Sequence, residues 1–97
     1  RVFISKRARQ AAERIDAHWR KHADHPNTFA GEFRTAIDFL ESVENCGSPA
    51  PTTKRPGLKR LLLPKSHCHV YFDLDQQQQM IRVLHVWDGR RESTPKL

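Results

Sequence analysis

Apolar residues change their spacing twice along this chain. Val2, Phe3 and Ile4 form a short apolar run ending at Ser5, whose hydroxyl can cap a helix that starts at Lys6. From there Ala8, Ala11, Ala12, Ile15, Trp19 and Ala23 recur at helical intervals, with Arg7, Arg9, Arg14 and Arg20 between them. The spacing predicts an amphipathic helix over residues 6–24 with a basic outer face. His25-Pro26-Asn27 stops it, because proline lacks a backbone donor and drives the residue before it out of the helical region. Asn27 or Thr28 can cap a second helix, predicted over residues 27–44, in which Phe29, Phe33, Ile37, Leu40 and Val43 carry the apolar stripe. The two helices are expected to pack as a hairpin.

The second change of period follows residues 45–57, where Gly47, Pro49, Pro51, Pro56 and Gly57 alternate with Ser and Thr and read as a loop. Beyond it, residues 58–63, 68–74 and 80–87 are β-rich, and Val70 and Phe72 alternate with polar neighbours. Pro64-Lys65-Ser66 and the stretch from Asp75 to Gln78 supply turns, so residues 58–88 form a three-stranded meander. The four glutamines Gln76 to Gln79 read as a solvated turn. Residues 89–97 form a basic tail. The order is β-α-α-β-β-β in a single α+β domain spanning residues 1–97, a helical hairpin on one face of a small antiparallel sheet.

Composition narrows what such a domain can do. Ninety-seven residues, 37% of them hydrophobic, make one modest core rather than a multidomain enzyme. Seventeen Lys and Arg against eleven Asp and Glu give a net charge of +6, which favours polyanionic or acidic partners. Cys46 and Cys68 lie far apart without a C-x-x-C partner, so neither a disulfide framework nor a zinc ribbon is expected, and a cytoplasmic setting fits best. The longest apolar run, Leu61-Leu62-Leu63, is far short of a membrane span, so no membrane association is expected. The chain opens on Arg1 rather than Met, and a few residues of a first strand are expected to precede it.

Histidine and tryptophan give the candidate chemistry. His18, His22 and His25 have a spacing that can bring two imidazoles together, but no H-E-x-x-H pattern accompanies them and Pro26 ends the helix beside His25. In His67-Cys68-His69, strand alternation points Cys68 away from both histidines. Neither set is read as a metal site, and no cofactor is expected. Trp19 fits the helical core stripe, whereas Trp87 ends the last strand beside the basic tail, where an indole can anchor a partner.

The phrases Gly57-Leu58-Lys59-Arg60-Leu61-Leu62-Leu63, His69-Val70-Tyr71-Phe72-Asp73-Leu74-Asp75 and Ile81-Arg82-Val83-Leu84-His85-Val86-Trp87-Asp88-Gly89-Arg90-Arg91 resemble the RelE/ParE toxin superfamily. The likeness covers nearly the whole chain, though the helical half matches mainly by pattern. It implies a bacterial toxin held inactive, in a hetero-oligomer, by a cognate antitoxin whose acidic, disordered segment wraps the basic surface. Lys59, Arg60, Trp87, Arg90 and Arg91 are the residues it points to for antitoxin or target binding, while Lys65 and Arg82 read as ordinary solvated charges.

The superfamily divides by mechanism. Members similar to RelE cut mRNA on the ribosome with several cations and a terminal tyrosine, a set suited to 2′-hydroxyl attack on a phosphate. Here Arg60 fills the first of those positions, Leu62 the second, His69 that of a middle-strand arginine, and the tyrosine is absent. A nuclease would have to use Arg60, His69 and Arg90 or Arg91. The depleted set resembles more the ParE branch, which is associated with poisoning DNA gyrase. A third reading, a non-toxic basic binding module, stands if the resemblance is architectural alone.

Overall fold

The computed structural model describes residues 2–22, 24–42, 48–49, 57–75 and 77–89. Along the chain run β1 (Val2–Ile4), α1 (Lys6–His22), α2 (Thr28–Ser42), β2 (Ser48–Pro49), β3 (Lys59–Leu63), β4 (Cys68–Asp75) and β5 (Met80–Asp88). They form one sheet in the order β1-β5-β4-β3-β2. Both helices lie on the same face of it, and Ala8, Ala11, Ala12, Phe29, Ala36 and Leu40 meet Leu63, Cys68, Val70, Phe72, Val83 and Val86 in a single core. The alanines on α1 matter because a small side chain lets a helix sit close to a sheet.

Four features depart from the pattern read off the sequence. Helix α1 ends at His22 rather than Asp24, which lies in a bend before the Pro26 turn. Helix α2 starts at Thr28, with the Asn27 carbonyl accepting from the Gly31 amide at 3.0 Å. Within the stretch expected to be loop, Ser48 and Pro49 pair with Arg60 and Lys59, and two residues are too few to show a period. The meander is antiparallel, but β1 runs parallel to β5, with Val2 opposite Ile81 and Ile4 opposite Val83. The connection between them runs through both helices and then back across the sheet through β2, β3 and β4, more than long enough for a parallel pairing.

Strand β5 changes phase at one residue. Phe72 faces Val83 and Tyr71 faces His85, so Leu84 is an extra residue on β5. Ile81 and Val83 are core residues before the bulge, and Val86 is one after it. Strict alternation would have put Val86 outside and His85 inside.

Ser5 holds this irregularity in place. Its hydroxyl donates to the Leu84 carbonyl at 3.1 Å and accepts from the Ala8 amide at 3.1 Å, while its own amide donates to the Val83 carbonyl at 2.9 Å. One side chain thus caps α1 and satisfies the bulged carbonyl. Replacing Ser5 with Ala should therefore cost about 1–2 kcal/mol, the usual loss of an N-cap. Urea unfolding with an unchanged slope and an unchanged far-ultraviolet spectrum is the expected result; a loss under a few tenths of a kcal/mol would show that the bulge holds without it.

Candidate functional site

The face of the sheet away from the helices carries Arg60, His69, Tyr71, His85 and Trp87 from the three long strands. Register places Arg60 on β3 opposite Tyr71 on β4, Tyr71 opposite His85 on β5, and His69 opposite Trp87. The bulge creates this row, because it turns His85 and Trp87 to the same side as Tyr71 and His69. The His69 and Tyr71 rings meet edge to face with centroids 6.4 Å apart, and His85 and Trp87 are tilted at 5.5 Å. Tyr71 and His85 are buried, whereas Arg60, His69 and Trp87 are half-buried.

The turn before β4 fixes His69. Both Glu32 carboxylate oxygens accept backbone amides of that turn, from Lys65 at 2.7 Å and Ser66 at 2.8 Å. His67 follows with φ +58°, in the left-handed region, and its carbonyl accepts from the Gly89 amide at 2.7 Å. Gly89 is required at this point: a Cβ there would collide with the His67 carbonyl oxygen and lie 3.2 Å from two atoms of the His69 ring. Burial first, and then the charge of Arg60, push the His69 imidazole below its ordinary pKa. It is therefore neutral at physiological pH and able to accept a proton.

The structure brings together some of the sequence candidates and separates others. Arg60, His69 and Trp87 share the outer face. Lys59 does not, since it lies opposite Phe72, in phase with the core residues Leu61 and Leu63. Leu62 shares the outer face with Arg60 and is 51% exposed. Arg82 is a paired surface charge: with 39% of its side chain exposed, it forms a two-point ion pair with Asp73 directly across the β4–β5 ladder, at 2.8 Å for each contact, which raises its pKa further. Lys65 is exposed. Arg90 and Arg91 lie outside the described residues. Tyr71 and His85 were not singled out in the sequence; two-residue alternation from His69 points to Tyr71, but only the bulge reveals His85.

Past Val83 the β1 pairing stops, and a cleft of ≈ 510 Å³ opens between α1 and β5. Arg7, Gln10, Arg14 and His18 line one wall, and His85, Trp87 and Asp88 the other. The basic face of α1 is thus continuous with the aromatic end of the outer face. Among the described residues, no group of three His, Cys, Asp or Glu side chains is arranged to hold a metal, and no helix is long and apolar enough to cross a membrane.

This arrangement, two helices on one face of a small meander with an N-terminal strand added at its edge, is the RelE/ParE-like fold. A chain of the chromosomal ParDE toxin-antitoxin system from P. aeruginosa matches with a TM-score of 0.65 at 14% identity, covering 90% of this chain and 92% of that one. The isolated E. coli RelE toxin matches with a TM-score of 0.56 at 16% identity, covering 95% and 86%. At these identities the likeness is one of fold. No family profile matches the sequence, and no curated protein is significantly similar to it.

Titration of the His69 ring protons by NMR should give a midpoint below about 6.5, the ordinary histidine value. Arg60→Ala should raise that midpoint only part of the way, because burial is the larger cause. Since the unfolded chain takes up the proton more readily, His69 should lower stability as pH falls through this range. A midpoint at or above the ordinary value, or full restoration by Arg60→Ala, would contradict the geometry.

Proposed function

We propose that this chain is the toxin of a bacterial type II toxin-antitoxin pair, acting in the cytoplasm by binding DNA gyrase and blocking replication rather than by cutting RNA. A cognate antitoxin with an acidic, disordered segment neutralises it in a hetero-oligomeric complex. The fold shared with the ParDE chain and the +6 charge support the toxin and its acidic partner. The observation that carries the choice of target is the poverty of cations on the outer face. Among the described residues there, Arg82 is already paired with Asp73 and Leu62 is apolar, which leaves Arg60 beside His69 as the cation without an acidic partner across the ladder. Cleavage through a 2′-hydroxyl needs an acid, a base and cationic stabilisation of the phosphorane, and one arginine with one imidazole supplies little of this.

One observation favours the alternative of a ribosome-dependent mRNA endonuclease. His69 is held neutral next to Arg60 and Tyr71, as a general base would be.

Inducible expression in a bacterium, with DNA and protein synthesis followed by radiolabel incorporation over the first minutes, separates the readings. DNA synthesis should fall first, with an induced damage response, and His69→Ala and Arg90→Ala should both remain toxic. Early loss of protein synthesis that either substitution abolishes would establish the nuclease instead. Normal growth at every expression level would leave a non-toxic basic binding module.

A further inference from the structure

Charge is divided unequally between the two helices. Helix α1 carries six Lys and Arg against two acids, whereas α2 carries one arginine against three acids. The positive balance of the chain therefore gathers along one helix.

The cleft between α1 and β5 concentrates it further. Arg7, Arg14 and His18 stand on its helical wall, and both acids of that helix, Glu13 and Asp16, lie outside the lining. Asp16 is held by Arg20 at 2.9 Å. Opposite the cations stand His85, Trp87 and Asp88. The floor is apolar, since Ala11 and Val86 are buried, and a residue as small as alanine at the centre of the helical wall keeps the two walls apart. Because β1 covers β5 only as far as Val83, no strand among the described residues fills the space beside Leu84 to Asp88.

These features describe a ligand. A cleft of ≈ 510 Å³ is the size of a small-molecule site. Arg7 and Arg14 are two helical turns apart, about 10 Å at 1.5 Å per residue, and His18 follows one turn later. Guanidinium groups bind phosphate oxygens by paired hydrogen bonds, and cations at two levels of one wall suit a chain of phosphates better than a single phosphate. On the facing wall the Trp87 indole is the kind of surface on which a base stacks, and the Asp88 carboxylate can accept the amino protons of a base. The tail that follows β5 does not suit the cleft by charge, because Arg90, Arg91 and Lys96 outnumber Glu92.

We infer that the α1–β5 cleft binds a nucleoside di- or triphosphate, with the phosphates along Arg7 and Arg14 and the base against Trp87. Neither the toxin reading nor the choice of target enters this inference, so it can fail or hold independently of the function proposed above.

The test is titration of the purified full chain with ATP and with GTP, followed by amide correlation NMR and tryptophan fluorescence. Amide signals of α1 from Arg7 to His18 and of β5 beyond Leu84 should move first. Arg14 is exposed, and Arg14→Glu should weaken binding at least about tenfold. Sodium tripolyphosphate should bind more weakly than either nucleotide, and Trp87→Ala should bring the nucleotides down to its level. Trp87→Phe keeps an aromatic ring and leaves Trp19 as the one tryptophan, so it should retain affinity while losing the fluorescence change; this comparison stands even if Trp87→Ala melts early. No binding at about 1 mM nucleotide, unchanged affinity in Arg14→Glu, shifts confined to His69 and Tyr71, or tripolyphosphate binding as tightly as ATP and GTP would overturn the proposal. Displacement of ATP from the same amides by a far lower concentration of a short single-stranded oligonucleotide, or of a polyglutamate peptide, would give the cleft to a macromolecule and overturn it as well.

Discussion

Ser5 joins the strand that pairs in parallel, the first helix and the bulge of the central ladder. It sits where β1 hands over to α1, and its two hydrogen bonds reach Ala8 in the helix and Leu84 in the β5 bulge. Everything C-terminal to Leu84 on β5 depends on that extra residue. With it, Val86 joins Val70 in the core while His85 and Trp87 face outward beside Tyr71 and His69. Without it, an imidazole would enter the core and a valine would leave it. The gain of seating Val86 against Val70 in the apolar core, which strict alternation would lose, fixes the register alongside the hydrogen bond.

A second set of ties holds the other end of the row. Glu32, on α2, reaches across to the amides of the β3–β4 turn, and Gly89 closes on the His67 carbonyl. The left-handed His67 is thus restrained from both sides, and His69, two residues on, packs its ring against Gly89. Helix α1 therefore sets the β5 side of the outer face and helix α2 sets the β4 side. Binding surfaces built on strands and braced in this way are more rigid than loops. That suits the binding role proposed above.

Most of the architecture was legible because it rests on local signals. Pro26 separates two helical stripes, and the turn residues after Leu63 and Asp75 separate three strands. What escaped the sequence depends on contacts between distant residues. The bulge is a one-residue slip that looks like ordinary scatter between Val83 and Val86. The two residues of β2 exist as a strand only because β3 pairs with them. The same holds for the site. Arg60, His69 and Trp87 were identifiable by type and position, but the cross-strand register decides that Lys59 faces away, that Arg82 is consumed by Asp73, and that His85 joins the row.

The account stands or falls on whether this face binds or cuts. The purified chain alone, incubated with DNA gyrase, ATP and supercoiled plasmid, should convert the plasmid to linear, gyrase-linked DNA in proportion to the chain added, with message on programmed ribosomes left intact. Intact plasmid together with cleaved message would contradict it, and would make Arg60 and His69 the centre of a nuclease.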